Sequence, residues 1–122
     1  MIYWNNLGNI QRLYRKPLIE DRYKKYLKKK KDKILEKLSK RNIYYDVKNR
    51  FFITVNDFRY DIEDNVLDLI IWIYKDENEI NDFLEKIFNK DKYEWILRKN
   101  NEENQSIPEI NHLHLFIRYK NN

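Results

Sequence analysis

The chain has 122 residues, of which 42% are hydrophobic and 16% aromatic, so it can bury a core despite its 37% of charged residues. It has no cysteine, which excludes disulfides, thiolate nucleophiles and cysteine-ligated zinc. Its longest apolar run, residues 69–74, is too short to span a bilayer, so we expect a soluble cytoplasmic protein without a membrane partner. The abundance of Lys, Asn and Ile suggests an AT-rich genome, as in some parasites and giant viruses.

The net charge of +5 is unevenly distributed. Residues 22–41 hold eleven Lys or Arg against Asp32 and Glu36, a net of +9, which leaves −4 (5 minus 9) for the rest of the chain. One interpretation of this basic stretch is a solvent-exposed helix face on which the aliphatic parts of the lysine side chains cover apolar surface. The other is a contact with a nucleic-acid backbone. The lysines that we assign to such a contact are Lys24, Lys28, Lys29 and Lys31.

The N-terminal third has helical spacing. Apolar residues in 1–16 predict a short helix, and Pro17 suits the first turn of a second helix that continues to about Lys40. Residues 43–55 are rich in β-branched and aromatic side chains, which predicts two short strands with a turn at residues 48–50.

The remaining residues predict a strand, a helix and two further strands. Residues 66–74 are almost continuously apolar, with Asp68 as an anomaly that we place at an exposed strand end. Residues 80–88 have uninterrupted helical spacing, after a start of capping-box type at Asp76 and Glu79. Residues 93–97 and 110–119 alternate as strands.

These elements predict the α+β class. We expect a single domain over residues 1–122, with a helical N-terminal part over about 1–41 and a β-rich core over about 43–119. A small mixed or antiparallel sheet would pack against the helix at 80–88, with the basic helix at the periphery. The alternative is a mostly helical domain with a minor hairpin.

The last strand carries both histidines of the chain. Since side chains alternate along a strand, His112, His114 and Arg118 share one face with Phe116 between them. The opposite face is apolar, so we expect it to pack in the hydrophobic core. Imidazole is the side chain whose unperturbed pKa lies nearest to neutrality, so the histidine face is the candidate site.

Several motifs together resemble the fungal N-acetylglucosamine-induced protein family. They are the segment Asn56–Tyr60 (NDFRY), Trp72 at a strand end, Trp95, Gln105–Pro108 (QSIP) and His112–Leu115 (HLHL). A weaker match covers Leu13–Arg15 (LYR) and Tyr23, and the family has His where this chain has Asp68. The family is a domain of unknown function, so the resemblance implies a fold rather than a reaction.

The QSIP loop followed by HLHL is also similar to the histidine-triad nucleotide hydrolases and transferases. That similarity implies a phosphate bound at the strand end and attacked by one imidazole. The triad has three alternating histidines, whereas this chain has Ile110 and Phe116 at the neighbouring positions. Which of His112 and His114 would match the nucleophile therefore stays open.

Our sharpest hypothesis is a small anionic-ligand site, in which His112 and His114 bind or attack a phosphate. Arg118 on the same face and Gln105 and Ser106 in the preceding loop would contribute to binding. Two hydrogen-bonded histidines with a structural role are the competing interpretation. A metal site is the third interpretation, because His112 and His114 could present two nitrogens to zinc, with a carboxylate such as Asp68 as the third ligand. No motif specifies that third position, so we expect no metal. We also expect no cofactor, and a single glycine excludes a glycine-rich phosphate loop. Catalysis is left open.

Overall fold

The computed structural model describes residues 1–29, 43–46, 51–73, 80–99 and 112–120. Over these residues the chain forms three helices and five strands. In chain order they are α1 (Trp4–Leu7), α2 (Pro17–Lys29), β1 (Tyr44–Asp46), β2 (Phe51–Val55), β3 (Leu67–Ile73), α3 (Ile80–Ile87), β4 (Tyr93–Arg98) and β5 (His112–Tyr119). The predicted α+β class is confirmed, and none of the described helices has the length and apolar character to cross a membrane.

The five strands form one sheet in the order β1-β2-β3-β5-β4, and every pair in it is antiparallel. The predicted hairpin of β1 and β2 extends the same sheet, so the alternative of a mostly helical domain is wrong. The turn predicted between these two strands lies outside the described residues. Because β5 lies between β3 and β4, the strand that carries the histidines is the fourth of five rather than an edge.

One face of the sheet packs against α3. The helical spacing puts Ile80, Phe83 and Leu84 on the same side of this helix, and all three are buried. They pack with the apolar faces of β3 and β5, including Ile71 and Leu115, which have no exposed surface. The predicted helix is confirmed over these residues, whereas its predicted start at Asp76 and Glu79 lies outside the described residues.

The opposite face is covered by the N-terminal segment. Ile2 forms a parallel bridge with Ile62, and Leu7 and Leu13 are buried with Phe116 of β5. The helix predicted over residues 1–16 is present as α1 alone, a single turn. The rest of the segment contacts the sheet through separate buried residues such as Leu13.

Helix α2 lies against the loop that follows β2. It begins at Pro17, as predicted. Proline lacks an N–H group, and the first N–H groups of a helix have no partner within the helix, so no hydrogen bond is lost there. The rings of Tyr23 and Tyr26 each lie 5.1 Å from the ring of Phe58. Its predicted continuation to about Lys40 lies outside the described residues.

Candidate functional site

The histidine face of β5 points toward the N-terminal segment, and its two histidines differ in burial. His114 is 4% exposed, whereas His112 is half-buried. The register with β3 places His112 opposite Trp72. It places His114 opposite Ile70. The two imidazole rings are 5.6 Å apart and nearly perpendicular, so they lie side by side as the alternation predicted.

His114 is held among aromatic rings. Its Nε2 lies 3.4 Å from the hydroxyl of Tyr60, and its ring is stacked at 6.4 Å on Phe116. Burial lowers the pKa of His114 to about 3, with smaller contributions from the positive charges of His112, Arg15 and Arg98. The imidazole is therefore neutral at any physiological pH, and it can exchange hydrogen bonds without carrying charge.

His112 lies over the indole of Trp72. The two rings are 5.2 Å apart and tilted by 33°. The indole is itself fixed, because its Nε1 donates a 2.9 Å hydrogen bond to the hydroxyl of Thr54 on β2. A buried tryptophan with a satisfied N–H gives His112 a rigid apolar support on one side.

Arg15 is a buried cation beside this group. Its guanidinium lies between two rings, 4.0 Å from the centre of Tyr23 and 4.2 Å from the centre of Tyr60. Its Nε donates to the carbonyl of Phe58 at 2.5 Å, and its Nη1 to Glu20 at 3.2 Å. The side chain is 8% exposed, so this charge is fixed in position and poorly screened by solvent.

Asp68 holds the loop that carries Tyr60. Its Oδ2 accepts a 2.9 Å hydrogen bond from the Tyr60 N–H and a 3.1 Å bond from the Asn56 side chain. Burial raises the pKa of Asp68 to about 6, although these two hydrogen bonds and the charges of Arg59 and Arg15 lower it. Asp68 is 3% exposed. The prediction of an exposed strand end was wrong, because the 56–60 loop folds over β3 and supplies the donors that a buried carboxylate needs.

The side chain of Arg118 contacts Glu94 and Trp4. Its Nε donates to Glu94 at 2.6 Å, and its guanidinium lies 4.3 Å above the ring of Trp4. Phe116 separates it from His114, and four residues of strand amount to about 13 Å. The structure thus does not bring Arg118 together with the two histidines. Gln105 and Ser106 lie outside the described residues.

The cations nearest to His114 come from elsewhere in the chain. Arg98 is its direct neighbour on β4. Its guanidinium donates to the carbonyls of Leu7 and Gln11 at 3.1 and 3.0 Å, which ties β4 to the N-terminal segment. Arg15 is the second cation. The sequence offered a signal for it only through the motif LYR, which suggested family membership and no role.

The four lysines of the basic stretch are only partly placed. Lys24 is exposed on α2, on the side away from Tyr23 and Tyr26. Lys28 and Lys29 lie in the last turn of the same helix. Lys31 lies outside the described residues. Within the described part of the chain, no three His, Asp or Glu side chains are grouped as a metal site would require.

The described residues form an α+β domain with buried polar side chains on the histidine face of its sheet. A family model described as a protein of unknown function (DUF3605) matches residues 2–118. The chain belongs to this family. The expectation of a family without an assigned function is thus confirmed, while the N-acetylglucosamine-induced name and the histidine-triad similarity stay predictions.

A solved structure supports the fold. The crystal structure of HTC1 is similar to this chain with a TM-score of 0.67 and 19% sequence identity, over 98% of this chain and 86% of that one. At this identity the likeness extends to the fold alone. No curated protein matches the chain.

Proposed function

We propose that the protein binds a small anionic ligand, such as a phosphate ester, on the histidine face next to His112. The observation that carries this proposal is the position of Arg15, a buried cation held in one orientation beside Tyr60 and His114. A second cation, Arg98, contributes positive potential at the same imidazole. Two guanidinium groups around a neutral imidazole favour an anion there.

The roles of the two histidines differ in this proposal. His114, whose pKa is about 3, is a poor general acid near pH 7 and serves as a hydrogen-bonding group. His112 is half-buried and rests on Trp72, so it is the imidazole that we assign to direct contact with the ligand and to any attack on it. We also propose that Gln105 and Ser106 contribute to ligand binding, as the sequence predicted. Both Arg15 and Arg118 are paired with a glutamate, but Arg15 lies beside Tyr60 and His114 whereas Phe116 separates Arg118 from His114, so we assign Arg15 to the site in place of Arg118.

The test is a proton NMR titration of the two imidazoles with inorganic phosphate, AMP and glucose 6-phosphate. The chain has two histidines, so His112→Ala assigns both signals. We expect one of these ligands to shift the His112 signal. A ligand charge about 8 Å from Arg15, at an effective dielectric constant of about 20, gains roughly 2 kcal/mol, so Arg15→Met should weaken binding about thirtyfold.

Arg22→Met is the matched control, because it removes the same group from an exposed position on α2. Arg15→Lys keeps the charge and should retain most of the affinity. If none of the three ligands shifts either imidazole, or if Arg15→Met and Arg22→Met weaken binding equally, the proposal is refuted.

A second candidate function is contact with nucleic acid through α2. It is favoured by the orientation of this helix, whose tyrosines face Phe58 while Lys24 is exposed. Binding to a mixed-sequence duplex should weaken with salt by roughly 0.9 log units per log unit of salt for each phosphate contacted. Charge reversal of the four lysines should abolish it and His114→Gln should not. The four substitutions are Lys24→Glu, Lys28→Glu, Lys29→Glu and Lys31→Glu.

A further inference from the structure

The exposed Tyr119 and the half-buried Tyr93 form an aromatic surface at the far end of the β4–β5 pair. Tyr93 begins β4 directly opposite Tyr119, which ends β5. Their rings are 4.8 Å apart with an interplanar angle of 31°, and the Tyr93 hydroxyl donates to that of Tyr119 at 3.3 Å. Tyr119 is 66% exposed, although an aromatic ring of this size is normally turned toward the core. This tyrosine pair lies on the α3 face of the sheet, opposite the histidine face.

An open recess of about 190 Å³ adjoins the tyrosine pair. Its walls include the rings of Tyr93 and Trp95. Behind them, Phe88 lies 6.1 Å from Tyr93 and 6.2 Å from Trp95 and anchors both to the core. The recess is smaller than the pockets that hold drug-sized ligands, and its aromatic walls suit one flat ring at a time.

Two lysines and one carboxylate line the recess. They are Lys90, Lys120 and Glu94, and the charge of Glu94 is matched by Arg118. The Lys120 N–H donates to the carbonyl of Lys92 at 2.8 Å, so Lys92 lies next to Lys120. Among the described residues, no carboxylate forms an ion pair with Lys92 or Lys120. Lys90 forms an ion pair with Glu85. Because both side chains are exposed, this ion pair is weak and Lys90 can contact another anion instead.

We propose that the tyrosine pair and its recess bind single-stranded nucleic acid. A base stacks on the exposed ring of Tyr119, whose other side lies against Tyr93, and the neighbouring phosphates approach Lys92 and Lys120. The arrangement favours a polymer over a free nucleotide, because the recess is open and its lysines add cationic charge beside an aromatic surface without enclosing a single phosphate. The proposal is independent of the histidine face and of α2.

The experiment is a fluorescence anisotropy titration of a labelled 12-nucleotide single strand of mixed sequence in 50 mM salt. Stacking of one base is typically worth about 1–3 kcal/mol, so Tyr119→Ala should weaken binding about 5- to 150-fold. Tyr3→Ala is the matched control, since Tyr3 is 58% exposed, and it should leave the affinity within about twofold of wild type. Lys120→Gln should weaken binding and reduce the salt dependence by about one phosphate contact, whereas Lys25→Gln on α2 should do neither.

Three results would overturn the proposal. They are the absence of binding at 100 µM protein, equal effects of Tyr119→Ala and Tyr3→Ala, and a Tyr119→Ala variant that weakens binding of a duplex of the same sequence as much as binding of the single strand. Displacement of the strand by AMP at an equal concentration of bases would overturn the choice of a polymer. Because Tyr119 is exposed, circular dichroism should show its alanine variant to be folded, so each of these outcomes can be interpreted.

Discussion

Replacement of Asp68 by Asn should change the way in which the stability of the protein depends on pH. Burial raises the pKa of Asp68 from 3.8 to about 6, so between these values the folded protein keeps a proton that the unfolded chain has lost. The stability contributed by this proton is fully present below pH 3.8 and is lost as the pH rises to 6. At 1.36 kcal/mol per pH unit, a shift of about two units amounts to roughly 3 kcal/mol.

His114 has the opposite effect over the same pH range. Its pKa falls from 6.5 to about 3 on folding, so its contribution is present above pH 6.5 and is lost as the pH falls toward 3. Between about pH 4 and 6 the slopes of the two groups cancel. Asp68→Asn should therefore add a slope of about +1.4 kcal/mol per pH unit to the free energy of unfolding. His114→Gln should add a slope of the same size and opposite sign.

The assay is urea unfolding followed by tryptophan fluorescence at half-unit steps from pH 4 to pH 7. The quantity to compare is the free energy of unfolding of each variant minus that of wild type at the same pH, which removes the contribution of the other titrating groups. Asp64→Asn, at an exposed loop position, is the control and should give a much smaller slope. A difference between Asp68→Asn and wild type that stays constant over this range would refute the assignment of a buried, proton-retaining carboxyl group.

Three further variants test the packing around the sheet by the same unfolding assay. Leu84→Ala should cost about 2–5 kcal/mol, because Leu84 has no exposed surface and its removal leaves a cavity under α3; a loss below 1 kcal/mol would mean that the helix is not packed there. Trp72→Phe removes the hydrogen bond to Thr54 and leaves the hydroxyl buried, so it should cost about 1–3 kcal/mol, and Thr54→Val in the same background should recover part of the loss. Arg118→Ala should cost only about 0.5–2 kcal/mol, because its pair with Glu94 is partly exposed, and 1 M NaCl should reduce the difference.

Local sequence patterns were sufficient to predict most of the helices and strands and the division of side chains between the faces of each strand. The spacing of Ile80, Phe83 and Leu84 was sufficient to predict α3, because a helix of that period can bury only one side. The alternation in β5 likewise placed His112 and His114 on one face, since the pleat leaves no other arrangement. Both inferences depend on neighbours along the chain.

The residues that cover those faces could not be predicted from local patterns, because they come from distant parts of the chain. Arg15 and His114 are far apart in sequence, yet the charge of Arg15 acts on His114 in the folded protein. No local pattern predicts that the N-terminal segment packs on this side of the sheet. Asp68 was misplaced for the same reason, since the loop that buries it begins twelve positions earlier and its donors are a backbone N–H and an amide side chain. The period of a strand determines which side chains share a face. Whether that face meets water, core or a fixed cation depends on contacts between residues far apart in sequence, and these form only when the chain folds.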